Sequence, residues 1–318
     1  MTGFRPELCG VDNSAIKISN GTYNIEVKIM QEEKLNLEQL ERMAHQLRVD
    51  VAKMIAVSGQ GHAGGSMSVI ELLTVLYFHE MRLDRHNPEW EERDRLVLSK
   101  GHASPALYSS LAEIGYIPKQ LLDTLHQIDS PLQMHPELGV CPGVEMSSGA
   151  LGQGLSAGVG MALGSRITGK DFRVFVIIGD GESAEGQIWE AAMCASKYAL
   201  DNLVAILDYN KLTLTDTVNA VMPLEPVCDK WTSFGWHVME VNGHSITQLV
   251  NALEQIKQVK GRPSMIIAHT VKGRGLPLYE DKVESHAINM SADQARETLC
   301  SLGCSAAEIE ETLAKAHG

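Results

Sequence analysis

The stretch RVFVIIGDGESAEGQIWEAAMCASKYALDNLVAILDYNKL, residues Arg173 to Leu212, decides the fold of this chain. Its two apolar runs, Val174 to Ile178 and Leu203 to Leu207, lack polar alternation, which is typical of parallel strands buried on both faces. Between the runs, Ile188 and several alanines recur at helical spacing. The stretch therefore predicts a strand, a helix and a second strand, joined by a right-handed crossover.

Two side chains with oxygen ligands follow these predicted strands. Asp180 lies between Gly179 and Gly181 after the first run, and Asn210 comes after the second. Ligands of open parallel sheets bind beyond the carboxyl ends of the strands, so we expect the two side chains to lie together. With a backbone carbonyl, they would suit an octahedral magnesium ion shared with phosphate. A Gly-Asp-Gly tripeptide alone is more often a simple turn, and both readings stay open at this point.

The rest of the chain continues the alternation of strands and helices. Further strands are predicted at Arg95 to Ser99, His237 to Val241 and Met265 to His269. Helical periodicity occurs at Leu35 to Val57, Val69 to His79, Ile246 to Val259 and Ser291 to Ala316. The pattern predicts an α/β fold with a doubly wound, mostly parallel sheet. We expect residues 1–34 to be an amino-terminal extension and residues 35–318 to form one domain.

Composition limits the partners and the compartment. The 318 residues are 44% hydrophobic and carry a formal net charge of -13, which argues against nucleic acid or an anionic membrane as a partner. The six cysteines form no Cys-x-x-Cys pair and are expected to be free thiols in a reducing cytosol. No segment has the roughly 18 apolar residues of a membrane span, and no signal peptide is evident, so we expect a cytoplasmic protein.

Four histidines, His62, His102, His135 and His286, lie in loops marked by glycine or proline. A single loop histidine is more often structural than catalytic, but four such residues favour a site. The glycine-rich segments match neither the P-loop nor the dinucleotide-binding pattern, and no nucleophile elbow or HExxH zinc pair is present. The histidines therefore point to a site that differs from these common nucleotide, hydrolase and zinc sites.

Five segments together resemble a known family. SGQGHAGGSMS, LSKGHASPALY, MHPELGVCPGVEMSSGALGQGLSAGVGMA, IGDGESAEG with its continuation to DYNKL, and HTVKGRG occur in the order found in transketolases. The resemblance covers about Leu40 to His286. It implies a thiamine-diphosphate enzyme that transfers a two-carbon ketol unit between sugars or sugar phosphates, and it makes residues 35–318 the diphosphate-binding domain.

The length matches only the amino-terminal half of a conventional transketolase. The chain thus resembles the first subunit of a split, two-gene transketolase. Such a subunit would be active only with a separate carboxy-terminal subunit that carries the pyrimidine-binding domain, in an α2β2 heterotetramer. In the family, the glutamate that protonates the aminopyrimidine ring of the cofactor lies in that other half. Most of the residues that bind the phosphate of the substrate lie there as well.

The resemblance also implies roles for individual residues. A divalent cation, Mg²⁺ or else Ca²⁺ or Mn²⁺, would be held by Asp180, Asn210 and the carbonyl of Leu212. His62, His135 and His286 would face the reacting sugar as catalytic residues. The cofactor-binding residues would be His102, Gly181 and Asn210 at the diphosphate, Gly149, Ala150 and Leu151 at the thiamine, and Glu185 as a buried acidic link between cofactor sites of different subunits.

The chain departs from the family pattern at two of these positions. Ala150 replaces the proline of the usual GPLGQG loop, and His286 lies in ESHAIN rather than in a His-Gly pair. Glu185 also has an alternative interpretation as an exposed residue at the start of a helix.

Two other functions stay open. The chain could be the α-type subunit of a 2-oxo acid dehydrogenase or a relative of deoxyxylulose-phosphate synthase, although His62, His102 and the DYNKL segment favour transketolase. It could also be a noncatalytic structural relative, against which the presence of Asp180 and Asn210 argues.

Overall fold

The computed structural model describes residues 34–316. The predicted extension, residues 1–34, lies outside this range apart from Lys34, and its assignment stays a prediction. Strands in the described part, in chain order, are β1 Gln60–Gly61, β2 Arg95–Leu98, β3 Val174–Gly179, β4 Leu203–Tyr209, β5 His237–Asn242, β6 Ser264–His269 and β7 Ile288–Asn289. The helices are α1 Leu37–Ser58, α2 Ala63–Met67, α3 Ile70–Val75, α4 Ser104–Glu113, α5 Gln153–Ile167, α6 Gly186–Lys197, α7 Val218–Val221, α8 Val227–Ser233, α9 Ile246–Ile256, α10 Ala292–Ser301 and α11 Ala306–Ala314.

Five of the strands form one parallel sheet in the order β2, β3, β4, β6, β5. The strand–helix–strand unit predicted from the central stretch is confirmed as β3, α6 and β4. In the register of the sheet, Gly179 pairs with Asp208, so β3 and β4 end side by side. Asp180 and Asn210 consequently lie next to each other beyond the carboxyl ends of β3 and β4, as the sequence predicts.

Both faces of the sheet are covered by helices. Phe175 and Ile177 point into a core with α1, α3, α4 and α9. Val174, Val176 and Ile178 point into a second core with α5, α6 and α8. Alternate residues of one apolar run therefore pack into two cores, which explains why residues 174–178 of β3 include no polar side chain. The predicted doubly wound α/β fold is confirmed.

A separate pair of short strands joins two distant loops. β1 and β7 are antiparallel, with Gln60 opposite Asn289 and Gly61 opposite Ile288. The N–H of Met290 extends the pair by donating to the carbonyl of Gly59 over 2.8 Å. Because His62 follows β1 and His286 precedes β7, this pairing brings two of the predicted catalytic loops together.

The structure differs from the sequence prediction at the carboxy-terminal helix. The expected helix from Ser291 to Ala316 is two helices, α10 and α11. Ser305 begins the second with a capping box, in which its hydroxyl accepts from the N–H of Glu308 and its own N–H donates to the Glu308 carboxylate. Leu299 and Ile309 are both buried in the same core, so the apolar pattern continues across the break and conceals it.

A second difference concerns the helix predicted from Val69 to His79. α3 ends at Val75, and residues 76–80 continue as a wider π-helical turn. Apolar side chains along both parts are buried, so periodicity alone does not distinguish them.

Two further observations concern membrane spans and cysteines. Within residues 34–316, no helix is both long and apolar enough to cross a membrane. The cysteines in this range are free thiols: Cys141, Cys194, Cys228, Cys300 and Cys304.

Close packing of α5 on the sheet gives a test of the fold. A Cβ atom at Gly158 would lie 2.4 Å from the Cγ2 atom of Val176, whereas one at Gly160 on the same helix would meet no heavy atom within 4 Å. We expect Gly158→Ala to lower the free energy of unfolding by about 1 to 3 kcal/mol. Gly160→Ala should raise it by about 0.5 to 1 kcal/mol, because alanine is the better helix former. Urea unfolding of the two variants measures the contrast, and equal effects would contradict this packing.

Candidate active site

The loops after β3 and β4 bring three predicted metal ligands together. Asp180 is 4% exposed and Asn210 is 9% exposed, and both line one pocket with Leu212. The amide oxygen of Asn210 accepts from the N–H of Leu212 at 3.1 Å, which holds this loop in a tight turn. In the described part of the chain, no group of three or more His, Cys, Asp or Glu side chains could hold a metal ion. A cation at this position would therefore depend on amide and main-chain oxygens as well as on Asp180.

The Asp180 carboxylate is held by main-chain donors. One oxygen accepts from the N–H of Gly181 at 2.7 Å and the other accepts from the N–H of Lys211. Burial, together with the negative charge of Asp208, raises the pKa of Asp180 to about 6. A buried carboxylate with a raised pKa is stabilised in its ionised form by a nearby cation.

Asp208, at the end of β4, is the centre of a buried polar network. It is fully buried and accepts from Lys100 Nζ at 2.5 Å, from Ser68 Oγ at 2.6 Å and from Asn210 Nδ2 at 3.1 Å. A fourth donor is the hydroxyl of Thr270. Since the amide nitrogen of Asn210 donates to Asp208, its oxygen is free to accept from Leu212 and from a ligand.

Two lysines supply positive charge to the pocket. Lys100 is 3% exposed and also donates to the carbonyl of Gly65 at 3.1 Å. Lys272 is 2% exposed, and its ammonium group donates to the carbonyls of Thr213 at 2.6 Å and Leu212 at 3.3 Å. Burial and the neighbouring Lys100 lower the pKa of Lys272 to about 8. The local charge therefore compensates for the acidic surface, as an anionic ligand requires.

Glu182 connects the glycine-rich loop to the end of β3. Its carboxylate is 3% exposed and accepts from the N–H of Gly152 and the N–H of Gly179, each at 2.9 Å, and from the hydroxyl of Ser99. Burial raises the pKa of this group above its usual value. Gly152 is thereby held close to Gly179, the residue before Asp180.

Three of the predicted histidines form a cluster next to the pocket. We call the pocket surface that carries Asp180, Asn210, Lys100 and Lys272 its floor. The ring centroid of His62 lies 5.4 Å from those of both His102 and His286, and the latter two are 4.8 Å apart. Burial lowers the pKa of His62 to about 4 and that of His286 to about 3, and it lowers the pKa of His102 well below its usual value. Nearby lysines and histidines add to each shift. The shifts favour the neutral form of all three rings at pH 7, in which each ring can both donate and accept a hydrogen bond.

His135 lies outside this cluster, against the glycine-rich loop. Gly149 has a φ of +127°, and a Cβ atom there would lie 2.8 Å from the His135 ring. The position therefore requires glycine for both its backbone conformation and its contact. The His135 side chain is exposed at the surface of the described chain.

A pocket of about 330 Å³ joins these groups. Of the predicted site residues, it is lined by His102, Leu151, Asp180, Gly181, Asn210, Leu212 and His286. Ala150 and Glu185 are instead exposed. Glu185 stands at the start of α6 and its side chain makes no capping hydrogen bond, so this chain by itself does not bury the residue.

Sequence reasoning missed four charged residues of this site: Lys100, Glu182, Asp208 and Lys272. The available signal was position. Asp208 interrupts an apolar strand, and the two lysines directly follow or lie close to predicted strand ends. A charge in such a setting must be paired in the fold, but its partner comes from a distant segment that the sequence does not identify.

The chain has clear relatives among known proteins. Residues 39–315 match the family described as transketolase, thiamine diphosphate binding domain. The chain belongs to the transketolase family. It is 46% identical over 263 residues to the 6-deoxy-6-sulfo-D-fructose transketolase subunit SqwG of Clostridium sp. (strain MSTE9), covering 83% of this chain and 96% of that subunit. It is 40% identical over 265 residues to one subunit of the apulose-4-phosphate transketolase of Phocaeicola vulgatus, covering 83% and 94%.

Comparison with longer relatives shows where the match ends. Human transketolase is 39% identical over 264 residues, which cover 83% of this chain but 42% of the human protein. The crystal structure of Campylobacter jejuni transketolase superposes with a TM-score of 0.80 and 30% identity, covering 88% of this chain and 46% of that one. The protein is therefore a subunit of a thiamine-diphosphate-dependent transketolase of the split type, which has another subunit.

The buried pair of Lys100 and Asp208 gives a test of the site's architecture. Asp208→Asn keeps the side-chain shape but leaves the buried Lys100 ammonium without the carboxylate to which it donates. We expect the free energy of unfolding of the transketolase subunit to fall by about 3 to 5 kcal/mol. Urea denaturation should show this loss, while Asp229→Asn, a change at an exposed carboxylate on α8, should have little effect. A loss below about 1 kcal/mol in the Asp208 variant would contradict the network.

Proposed function

We propose that this subunit binds thiamine diphosphate and a divalent cation, and transfers a two-carbon ketol unit between sugars in the cytoplasm. It would act only with a separate subunit that supplies the pyrimidine-binding domain. The observation that supports this most is the neutral cluster of His62, His102 and His286 next to a pocket whose floor carries Asp180, Asn210 and two lysines.

The chemistry of the donor set fits Mg²⁺. Asp180 offers a carboxylate, Asn210 an amide oxygen whose orientation is set by Asp208, and Leu212 a main-chain carbonyl. Hard oxygen ligands of this kind leave room for phosphate oxygens to complete an octahedral shell. Ca²⁺ or Mn²⁺ would suit the same ligands. His102, Gly181 and Asn210 would contact the diphosphate, and Gly149, Ala150 and Leu151 would line the thiamine.

When bound, thiamine diphosphate supplies the carbanion and the electron sink for cleavage of a carbon–carbon bond. The chain's own histidines would move the protons. His62 and His286 are neutral, so each can accept the proton of a substrate hydroxyl or donate one to a developing alkoxide. His135, at the exposed edge of the glycine-rich loop, would hold a hydroxyl of the two-carbon fragment.

The partner would complete the site in an α2β2 heterotetramer. The two split subunits named above are matched over nearly their whole length, whereas full-length transketolases are matched over less than half. Glu185 is exposed beside the glycine-rich loop, where a second chain can bury it and link two cofactor sites. The region from residue 35 onward would thus serve as the diphosphate-binding domain.

The sugar is expected to carry a terminal anion. One relative is named for a sulfonated ketose and another for a phosphorylated one. Both are ketoses with a negatively charged end group, and we propose that this class of donor is used here. The free thiols of the described chain are compatible with the cytoplasm as the compartment.

Reconstitution tests the proposal directly. The purified chain mixed with the separately expressed pyrimidine-domain subunit, thiamine diphosphate and Mg²⁺ should transfer ketol units from sulfonated or phosphorylated ketoses to an aldose. Either chain by itself should give no turnover. Pyruvate decarboxylation by the complex, without ketol transfer from any ketose, would instead indicate an α-type subunit of another thiamine-diphosphate enzyme.

Asp180→Ala tests the cation site. Removing a residue that hydrogen-bonds to a metal ligand typically lowers the metal affinity about 10- to 100-fold. Loss of the ligand itself should therefore raise the dissociation constant of thiamine diphosphate by at least about 100-fold. Calorimetric titration of the reconstituted complex in the presence of Mg²⁺ measures this change. Asp229→Ala should bind normally. Tight Mg²⁺-dependent binding by the Asp180 variant would refute the assignment.

His286→Asn tests proton transfer. We expect kcat to fall by about 10²- to 10⁴-fold, because a positioned acid or base contributes that much, while the dissociation constant of thiamine diphosphate changes by only a few-fold. Steady-state kinetics at saturating cofactor give kcat, and the exposed His45→Asn is the matched control. Unchanged turnover in the His286 variant would remove this residue from the mechanism.

A further inference from the structure

A buried glutamate behind the pocket belongs to none of the groups assigned so far. Glu71 lies in the first turn of α3 and is 6% exposed. One carboxylate oxygen accepts from Arg48 Nη2 at 2.6 Å, and the other accepts from His244 Nδ1 at 2.9 Å. We call these three residues the Glu71 cluster. Burial by itself would raise the pKa of Glu71, but its contacts with His244 and Arg48 lower it below its usual value.

The outer ends of the Glu71 cluster contact one loop. The N–H of Val271 donates to His244 Nε2 at 2.8 Å, and Arg48 Nε donates to the carbonyl of Arg274 at 3.0 Å. The first bond also fixes the histidine tautomer: Nε2 accepts, so Nδ1 carries the proton that is donated to Glu71. A single carboxylate thereby connects, through two side chains, to both sides of Lys272.

Lys272 occupies the middle of this loop, residues 271–275, which we call the Lys272 loop. Its buried ammonium group reaches the carbonyls of Leu212 and Thr213, directly beyond Asn210. The same loop is joined to the segment after His62, because the N–H of Gly273 donates to the carbonyl of Gly64 at 3.0 Å. A shift of the Lys272 loop would therefore move groups on two walls of the pocket.

We propose that Glu71 is a positioning residue: through Arg48 and His244 it holds the Lys272 loop so that Lys272 keeps the Leu212–Thr213 turn in place for cofactor binding. The inference rests on the proposed function, in which that turn holds a cation. Glu71 itself touches neither the pocket nor its ligands. Its effect should appear in the affinity for the cofactor and much less in the rate of the chemical step.

A merely structural role makes a different prediction. Glu71 could serve only to neutralise Arg48, in which case its loss would destabilise the fold and leave the pocket unchanged. Glu145 provides the matched control, since its side chain is only 10% exposed, pairs with Arg93 and Arg95, and is absent from the pocket lining.

The experiment uses the reconstituted complex with thiamine diphosphate and Mg²⁺. Glu71→Gln should raise the dissociation constant of the cofactor about 10-fold or more, the range seen when groups behind a ligand are removed, with kcat at saturating cofactor within about 3-fold of the wild type. Glu145→Gln should lower the melting temperature and leave the dissociation constant unchanged. If Glu71→Gln behaves like Glu145→Gln, the proposal is wrong.

A double variant separates a direct effect from an indirect one. Lys272→Met removes the ammonium group and keeps the long side chain. If Glu71 acts through Lys272, the double variant should bind the cofactor no more weakly than Lys272→Met alone, because the two changes interrupt one connection. Additive losses would overturn the proposal.

His244→Asn covers the case in which Glu71→Gln fails to fold. Asparagine can still donate to Glu71 from the position of Nδ1, but it loses the bond to Val271. Weaker cofactor binding is expected, and unchanged binding would again overturn the inference. The proposed function fails separately if the wild-type complex shows neither Mg²⁺-dependent cofactor binding nor ketol transfer.

Discussion

The carboxylate of Asp208 is the group on which the arrangement of the site depends. It ties together Lys100 after β2, Ser68 after α2, Asn210 after β4 and Thr270 after β6. A fully buried charge is tolerated only when it is paired and hydrogen-bonded, so all four segments must be in place at once. The same contacts turn the Asn210 amide so that its oxygen faces Leu212. The same carboxylate therefore stabilises this end of the sheet and the position of the Asn210 side chain.

Local electrostatics explain how an acidic protein can bind an anionic cofactor. The chain has a formal net charge of -13, yet two buried ammonium groups lie at the pocket. Burial shifts the pKa values of acidic and basic groups there in opposite directions. It raises the pKa of Asp180 and lowers those of Lys272 and the three clustered histidines. Each group is thus closer to its neutral form than it would be in water. A cation would favour the ionised form of Asp180, and a diphosphate would favour the charged form of Lys272.

The sequence predicts which residues follow the strands at this site, but it does not predict the buried contacts that hold them in position. Asp180 and Asn210 could be placed because each follows a continuous apolar run, and parallel strands end at one edge. His62 and His286 are 224 positions apart, and the short pairing of β1 with β7 that joins their loops has no periodicity to detect. Glu182 and Glu71 are further cases. Nothing local distinguishes a buried glutamate from an exposed one, since burial is decided by partners such as Gly152, Arg48 and His244 from distant segments.

The polarity of the pocket also indicates how a ligand is oriented in it. Its charged groups, Asp180, Lys100 and Lys272, are buried, whereas the apolar lining residues Leu151, Leu214 and Val221 are 38%, 61% and 48% exposed. A ligand with an anionic tail and an aromatic head would place its tail against the buried charges and its head against the leucines. Exposed apolar side chains at the mouth of a polar pocket are typical of a surface that another molecule covers. The head of such a ligand would therefore be the part that is less covered by this chain.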